Sequence, residues 1–131
     1  MFKTVLFPIE LTREARKAIE LTANMVKFHN SKLTILSVVE TDDRGAMSSE
    51  EQVAKLLQEA KLFFAQQGIV AETVEKSGIP AFTICDVADE INADLIIMGC
   101  RGLGLIDEEA AMDSATNRVI NLANCPVLVI S

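Results

Sequence analysis

LTILSVV, residues Leu33–Val39, is a nearly unbroken apolar run. A strand that faces water on one side alternates apolar and polar residues, whereas a strand buried on both faces does not need to. Burial on both faces is typical of parallel sheets, because their crossover helices cover both sides. This stretch therefore predicts a parallel sheet held between two layers of helices.

Four further strands and four helices alternate along the rest of the chain. Apolar residues at three- and four-residue steps mark the helices, and short apolar runs mark the strands. This pattern predicts an α/β three-layer sandwich with a five-stranded parallel sheet, in which residues 1–131 form a single domain. The predicted helices begin at Thr12, Ser48, Pro80 and Ser114, and the other predicted strands are Lys3–Ile9, Ile69–Val74, Asp94–Met98 and Pro126–Ile130.

The composition limits the partners and sites that we expect. Half of the 131 residues are hydrophobic, which excludes a disordered chain. The 12 basic and 19 acidic residues give a net charge of −7, which disfavours binding to nucleic acids and anionic membranes. Cys85, Cys100 and Cys125 are far apart and His29 is the only histidine, so neither a disulfide framework nor a metal site is expected. The chain shows no signal-peptide pattern and no apolar run of about 20 residues, so we expect a cytoplasmic protein.

The segment after the fourth predicted strand carries the main functional signal. It contains Gly99, Gly102 and Gly104, and glycine lets a ligand approach the backbone closely. The run Asp113-Ser114-Ala115-Thr116 then starts a helix, whose free N–H groups and hydroxyls could surround an anion. The same residues fit a loop that ends in an ordinary helix cap, and the residues alone leave both interpretations open.

Five segments, taken in order, resemble those of one known family. They are Val5-Leu6-Phe7-Pro8-Ile9, Gly78-Ile79-Pro80-Ala81, Gly99-x-x-Gly102, Ser114-Ala115-Thr116 and Cys125-Pro126-Val127-Leu128-Val129. Together they span nearly the whole chain, and the chain resembles the universal stress protein family. The resemblance implies a Rossmann-like, adenine nucleotide alpha-hydrolase-like fold with strand order 3-2-1-4-5, in which the winding reverses between strands one and four.

The resemblance also implies a homodimer. In this family the last strand often pairs with its copy, and here that strand would contain Val127, Leu128, Val129 and Ile130. An open apolar edge does invite pairing with another chain. The alternative is an edge strand that only closes the core.

In nucleotide-binding members an adenine nucleotide lies at the reversal, and the resemblance assigns its lining residues. Pro8, Ile9 and Glu10 would line the base and ribose, and Val38 and Val39 would offer backbone groups to adenine. The ribose and phosphates would be lined by Met98, Gly99, Arg101, Gly102, Gly104, Asp113, Ser114, Ala115 and Thr116.

Two of these positions depart from the family pattern. Asp113 stands where nucleotide-binding members carry a third glycine, and Glu10 stands where they usually carry an aspartate. A carboxylate about 6 Å from a phosphate charge costs about 3 kcal/mol at an effective dielectric of about 20, whereas a helix start contributes only about 0.3–1 kcal/mol. If Asp113 faces the phosphates, ATP needs a bridging Mg²⁺ or binds poorly, and AMP or another compact adenine ligand is favoured.

The favoured function is therefore a stress-response protein that is dimeric, binds AMP or ATP and lacks robust catalysis. No catalytic triad, Walker A motif or phosphoryl-transfer set is recognisable in the sequence. One alternative is a dimeric interaction module whose degenerate pocket binds nothing, and another is a slow ATPase that depends on Gly102 or Ser114. Cys100, beside Arg101, could respond to oxidants, although such a cysteine is more often a small neutral residue after a strand.

Overall fold

A five-stranded parallel sheet runs through the computed structural model, which describes residues 2–9, 13–40, 50–99 and 115–130. Its order is β3-β2-β1-β4-β5, and every neighbouring pair of strands is parallel. The predicted fold class and strand order are confirmed. The strands are β1 (Thr4–Pro8), β2 (Lys32–Glu40), β3 (Ala71–Gly78), β4 (Leu95–Gly99) and β5 (Val127–Ile130).

Helices cover both faces of the sheet and form two separate cores. The first two helices pack on one face, where Val26 and Phe64 are buried with Ile35 of β2. The other two pack on the opposite face, where Val119 is buried with Leu36 of β2. Successive strand residues point to opposite faces, so LTILSVV feeds both cores, as its composition predicts. The described helices are α1 (Arg13–His29), α2 (Glu50–Gln66), α3 (Pro80–Ile91) and α4 (Ala115–Leu122).

The third strand differs most from its predicted span of Ile69–Val74. In the structure β3 begins at Ala71, runs to Gly78 and pairs with β2 along its whole length. Its last residues before Gly78 are Glu75, Lys76 and Ser77, which are exposed and carry no apolar signal. Pairing with the long strand β2 holds them in a strand, and their exposure follows from the position of β3 at the edge of the sheet.

The predicted start of α3 is the one that falls within the described residues. Pro80 occupies the first turn of α3, as predicted, and α4 begins at Ala115. The predicted caps Thr12, Ser48 and Ser114 lie outside the described residues. Among the helices that the structure describes, none is long and apolar enough to cross a membrane.

Candidate functional site

The winding of the chain reverses at β1, the central strand. From β1 the chain adds β2 and β3 on one side, and it then returns to add β4 and β5 on the other. In open parallel sheets such a reversal leaves a crevice beyond the carboxyl ends of the two flanking strands, because their connections leave in opposite directions. Here those ends are Pro8 in β1 and Gly99 in β4.

The pairing of β1 with β4 stops before either strand ends. The ladder between them ends at Leu6–Ile96, whereas β1 pairs with β2 through Pro8 and β4 pairs with β5 through Gly99. The last two residues of β1 and the last three of β4 are therefore not paired with each other. The β1–β4 ladder therefore ends at the point where the winding reverses.

The proline at the end of β1 explains why this ladder stops. Ile9 N donates to Leu36 O of β2 at 2.8 Å, whereas Thr4 O accepts from Asp94 N, just before β4, at 2.8 Å. The backbone groups of successive strand residues point to opposite neighbours, so those of Pro8 point toward β4. Proline has no N–H, and the ladder with β4 therefore lacks its next donor.

The end of β2 contributes backbone groups to the same region. Leu36 O accepts from Ile9 N, so the backbone of Leu36 faces β1. Alternation then turns the N–H and C=O of Val38 toward the β1 side and those of Val39 toward β3. Because pairing of β2 with β1 ends at Leu36, the backbone of Val38 lies beyond the last paired residue. Of the two valines predicted to offer backbone groups to adenine, Val38 is the one whose N–H and C=O face β1, the strand beside the predicted site.

The fold brings six of the predicted site residues to the carboxyl ends of three adjacent strands. Ile9 and Met98 are only 3% and 4% exposed, and each is packed into one of the two cores. None of the six is ionisable, so the described strand ends bring no charge to the predicted site. The six residues are Pro8, Ile9, Val38, Val39, Met98 and Gly99.

Apart from Glu10, the remaining predicted site residues belong to the segment between β4 and α4 or to the first turn of α4. Ala115 and Thr116 begin α4, and the side chain of Thr116 is buried. The other predicted positions lie outside the described residues, so the assignment of the site stays a prediction. They are Glu10, Arg101, Gly102, Gly104, Asp113 and Ser114, with the candidate redox residue Cys100 beside them.

Comparison with known proteins decides the family. A family model described as the universal stress protein family matches residues 1–131. The chain belongs to the universal stress protein family. Universal stress protein Sll1654 of Synechocystis sp. (strain ATCC 27184 / PCC 6803 / Kazusa) is 57% identical, and the match covers 99% of this chain and 86% of that protein. The resemblance found in the sequence motifs is confirmed.

Solved universal stress proteins share the fold. One, crystallised in complex with cAMP, superposes with a TM-score of 0.81 at 22% identity and covers 99% of this chain and 97% of its own. Another, from Archaeoglobus fulgidus in complex with dAMP, gives a TM-score of 0.74 at 21% identity and covers 100% of this chain and 98% of its own. At these identities the likeness concerns the fold, which places the same reversal of winding in all three proteins.

This universal stress protein has another concavity at the opposite end of the strands, just before the beginnings of β4 and β5. Asn124 Nδ2 donates to both carboxylate oxygens of Asp89 there, at 3.1 and 3.3 Å. Burial, with a further contribution from the Asp89 carboxylate, raises the pKa of the Cys125 thiol and keeps it neutral. The sequence gives no signal for this concavity, because separate segments form it. The cavity is about 230 Å³ and is lined by Ala88, Asp89, Asn92, Ala93, Asn124 and Cys125.

Proposed function

We propose that this universal stress protein is a dimeric regulatory module of the cytoplasm that binds an adenine nucleotide and has no robust catalytic activity. The observation that carries the nucleotide part is the early end of the β1–β4 ladder at Pro8, at the reversal of winding where open parallel sheets bind their ligands. The cAMP and dAMP complexes of two proteins with the same fold support an adenine nucleotide with one phosphate as the ligand. We take residues 1–131 as one domain.

The chemistry of the described residues fits recognition of a base. The backbone N–H and C=O of Val38 point to the β1 side beyond the last paired residue, where they can meet the polar edge of adenine. The uncharged residues Pro8 and Gly99 bound the crevice on its other side without an opposing charge. The phosphate would then lie toward Ala115 and Thr116 at the start of α4, because the positive end of a helix favours an anion.

The carboxylates of the sequence between β4 and α4 set the expected ligand preference. Asp107, Glu108, Glu109 and Asp113 outnumber Arg101, the basic residue of that segment. Repulsion grows with the number of phosphate charges, so a monophosphate is favoured over a triphosphate. ATP would require Mg²⁺ to offset the repulsion.

Isothermal titration calorimetry with AMP, cAMP and ATP, the last with and without Mg²⁺, tests the ligand. We expect AMP or cAMP to bind more tightly than metal-free ATP. The Asp113→Gly variant should bind ATP more tightly than the wild-type chain does. Submicromolar binding of ATP without metal would contradict the preference for a compact ligand. If none of the nucleotides binds to either form, the chain is an interaction module with a degenerate pocket.

The Pro8→Ala variant tests the structural origin of the crevice. It supplies the N–H that β1 lacks on its β4 side, so the ladder can continue into the proposed crevice. We expect weaker AMP binding and slow hydrogen exchange of the new amide, with the chain still folded. Unchanged affinity together with a protected amide at position 8 would show that the proposed crevice is not the binding site.

The contrast between the two sheet edges supports dimerisation through β5. The free edge of β3 presents Glu72, Glu75 and Lys76, which are exposed charges of the kind that prevent edge pairing. The free edge of β5, VLVI, has no charge, and its Leu128 is 36% exposed. Among the described strands only β5 therefore offers an uncharged edge to a second copy.

A pair of proline variants tests the dimer. Ile96 N donates to Pro126 O at 3.0 Å, so alternation leaves the N–H of Val129 on the free edge. Val129→Pro removes that donor without touching the ladder to β4, and we expect it to dissociate the dimer. Thr73→Pro, the matched change on the free edge of β3, should leave the dimer intact. Sedimentation velocity measures both, and a wild-type monomer at all concentrations would refute this part of the proposal.

A further inference from the structure

Helix α1 carries a second apolar stripe, of which Leu21 and Phe28 are exposed and Met25 is partly buried against the core. Its buried stripe contains Ala18, Thr22 and Val26. The second stripe contains Leu21, Met25 and Phe28, spaced i, i+4 and i+7, as in the seam between two packed helices. Leu21 is 42% exposed and Phe28 is 85% exposed.

This second stripe faces away from α2. α1 contacts β4 and β5, whereas α2 contacts β2 and β3, so α2 lies on one side of α1 and the free edge of β5 lies toward the other. Lys27 marks the flank of α1 that faces α2, because its Nζ donates to Gln67 Oε1 just after α2, at 2.8 Å. At 3.6 residues per turn, Leu21 and Phe28 fall on the opposite side of the buried stripe from Lys27. They therefore point toward the β5 edge.

The edge strand adds an apolar side chain to the same face. Leu128 pairs in register with Ile97, which is buried in the core beneath α1. Residues in register on parallel strands point to the same face, and Ile130, two positions on, enters that core as well. Leu128 therefore lies on the same face of the sheet as α1.

From Leu21 to Phe28 the second stripe carries no charged residue, in a chain whose net charge is −7, and in the sequence Glu14 and Lys17 precede it at the same helical spacing. Between Ala18 and His29 the charged side chains Glu20 and Lys27 lie outside the second stripe, and Asn24 is its uncharged polar neighbour. Two such faces can approach each other without repulsion between like charges. A second copy of the chain is therefore an electrostatically acceptable occupant.

The geometry of antiparallel β5 pairing places the two α1 helices side by side. The two-fold axis of such a pair is normal to the sheet, so both copies of α1 lie on the same face. Neighbouring strands are about 4.8 Å apart. If each α1 lies between the positions of β4 and β5, the two copies of α1 are about 10 Å apart. If each α1 lies directly over β4, the two copies are about 14 Å apart. Packed helices are about 8–10 Å apart, so large side chains are needed to fill this space.

We propose that the dimer has a second layer, in which Leu21 of each copy packs beside Leu128 and Leu21 of the partner across the two-fold axis. This proposal rests on the proposed β5 dimer. It assigns a function to the apolar stripe of α1. The stripe covers the junction between the two β5 strands, on one face of the sheet that the two copies form together. Met25 and Phe28 extend the layer along the helix.

Leu21→Gln tests the layer, with Leu62→Gln as the matched control. Leu62 is a leucine of α2 on the same face, 57% exposed, but α2 lies over β2 and β3, far from β5. Loss of two buried leucines per dimer should raise the dissociation constant by about tenfold or more in sedimentation equilibrium. Leu62→Gln should leave it unchanged.

A cross-linking experiment gives a signal that does not depend on weakened folding. In a chain whose three native cysteines are replaced by alanine, Leu21→Cys should form covalent dimers with a short bismaleimide, and Leu62→Cys should not. If Val129→Pro dissociates the dimer while Leu21→Gln does not and Leu21→Cys fails to cross-link, the β5 dimer stands and the α1 layer is refuted. A wild-type monomer refutes both.

Discussion

A single carboxylate joins the beginnings of β1 and β4. Asp94 Oδ2 accepts hydrogen bonds from Lys3 N at 3.0 Å and from Thr4 N at 2.9 Å. Asp94 N in turn donates to Thr4 O at 2.8 Å. β1 and β4 are thus held together at their amino ends, opposite the carboxyl ends where their ladder stops.

Asp94→Ala should lower the free energy of unfolding by about 1–2 kcal/mol, because two backbone donors lose a charged acceptor and one of them is partly buried. Urea denaturation followed by circular dichroism measures the change. Asp94→Asn keeps an acceptor oxygen and should lose less. Equal stability of all three chains would show that water replaces the carboxylate without cost.

The two described cysteines should react slowly at neutral pH. Burial, followed by the Asp89 carboxylate, raises the pKa of both the Cys85 and the Cys125 thiol above the ordinary value of about 9. The thiolate is the reactive form, so alkylation in a Cys100→Ser chain should accelerate only at higher pH than for a free thiol. Asp89→Asn should shift that rise to lower pH. Fast alkylation at pH 7 would contradict the neutral state of these thiols.

The raised pKa values of Cys85 and Cys125 also determine whether the free energy of unfolding rises or falls at high pH. A raised pKa in the folded chain means that the folded state keeps the thiol proton after the unfolded state has lost it. The stabilisation that comes from the two protonated thiols is therefore fully present below about pH 9. It is lost as the pH rises through the raised pKa values of the folded chain.

At the scale of elements, the junction between β3 and α3 depends on one glycine. Gly78 has φ +154°, and a Cβ at this position would lie 2.5 Å from Thr83 Oγ1 in the first turns of α3. A side chain there would force Thr83 or the helix start to move. The backbone conformation is also one that residues with a Cβ rarely adopt.

Gly78→Ala should therefore lower the free energy of unfolding by about 1–3 kcal/mol, through steric overlap and backbone strain together. The double variant Gly78→Ala, Thr83→Ala should recover part of the loss, because it removes the overlap and leaves the strain. Thermal denaturation of the two variants and of Thr83→Ala alone measures this coupling. A double variant whose loss equals the sum of the single losses would show that the overlap is relieved elsewhere.

At the scale of the whole molecule, net charge acts on the proposed dimer. Each copy carries a charge of −7, so association brings like charges together. Salt shortens the screening length from about 30 Å at 0.01 M to about 10 Å at 0.1 M. We expect the dissociation constant to fall roughly threefold or more over this range in sedimentation equilibrium, since the proposed interface is apolar. A rise with salt would instead indicate an interface held by ion pairs.

The fold was largely predictable, and particular residues show why. LTILSVV predicted a strand buried on both faces, because burial is encoded in the local pattern of side chains. The span of β3 was less predictable, since Glu75–Ser77 are held by pairing with β2 and not by their own propensity. Long-range pairing overrides weak local preference.

The sequence could predict which strand ends come together at the candidate site, because the fold alone positions them. Strand ends such as Pro8, Val38 and Gly99 meet at one edge because all strands run in the same direction. The direction of each backbone group was not predictable, because alternation between Val38 and Val39 depends on the register with β1.

By itself the sequence determined the class of fold and the family, because hydrophobic periodicity and the positions of glycine and proline reflect local requirements of helices, strands and turns. The tertiary structure alone decided where the β1–β4 ladder stops and which exposed leucine of the α1–α2 layer faces the β5 edge. These features depend on the register and relative placement of segments far apart in the chain, which no local pattern specifies.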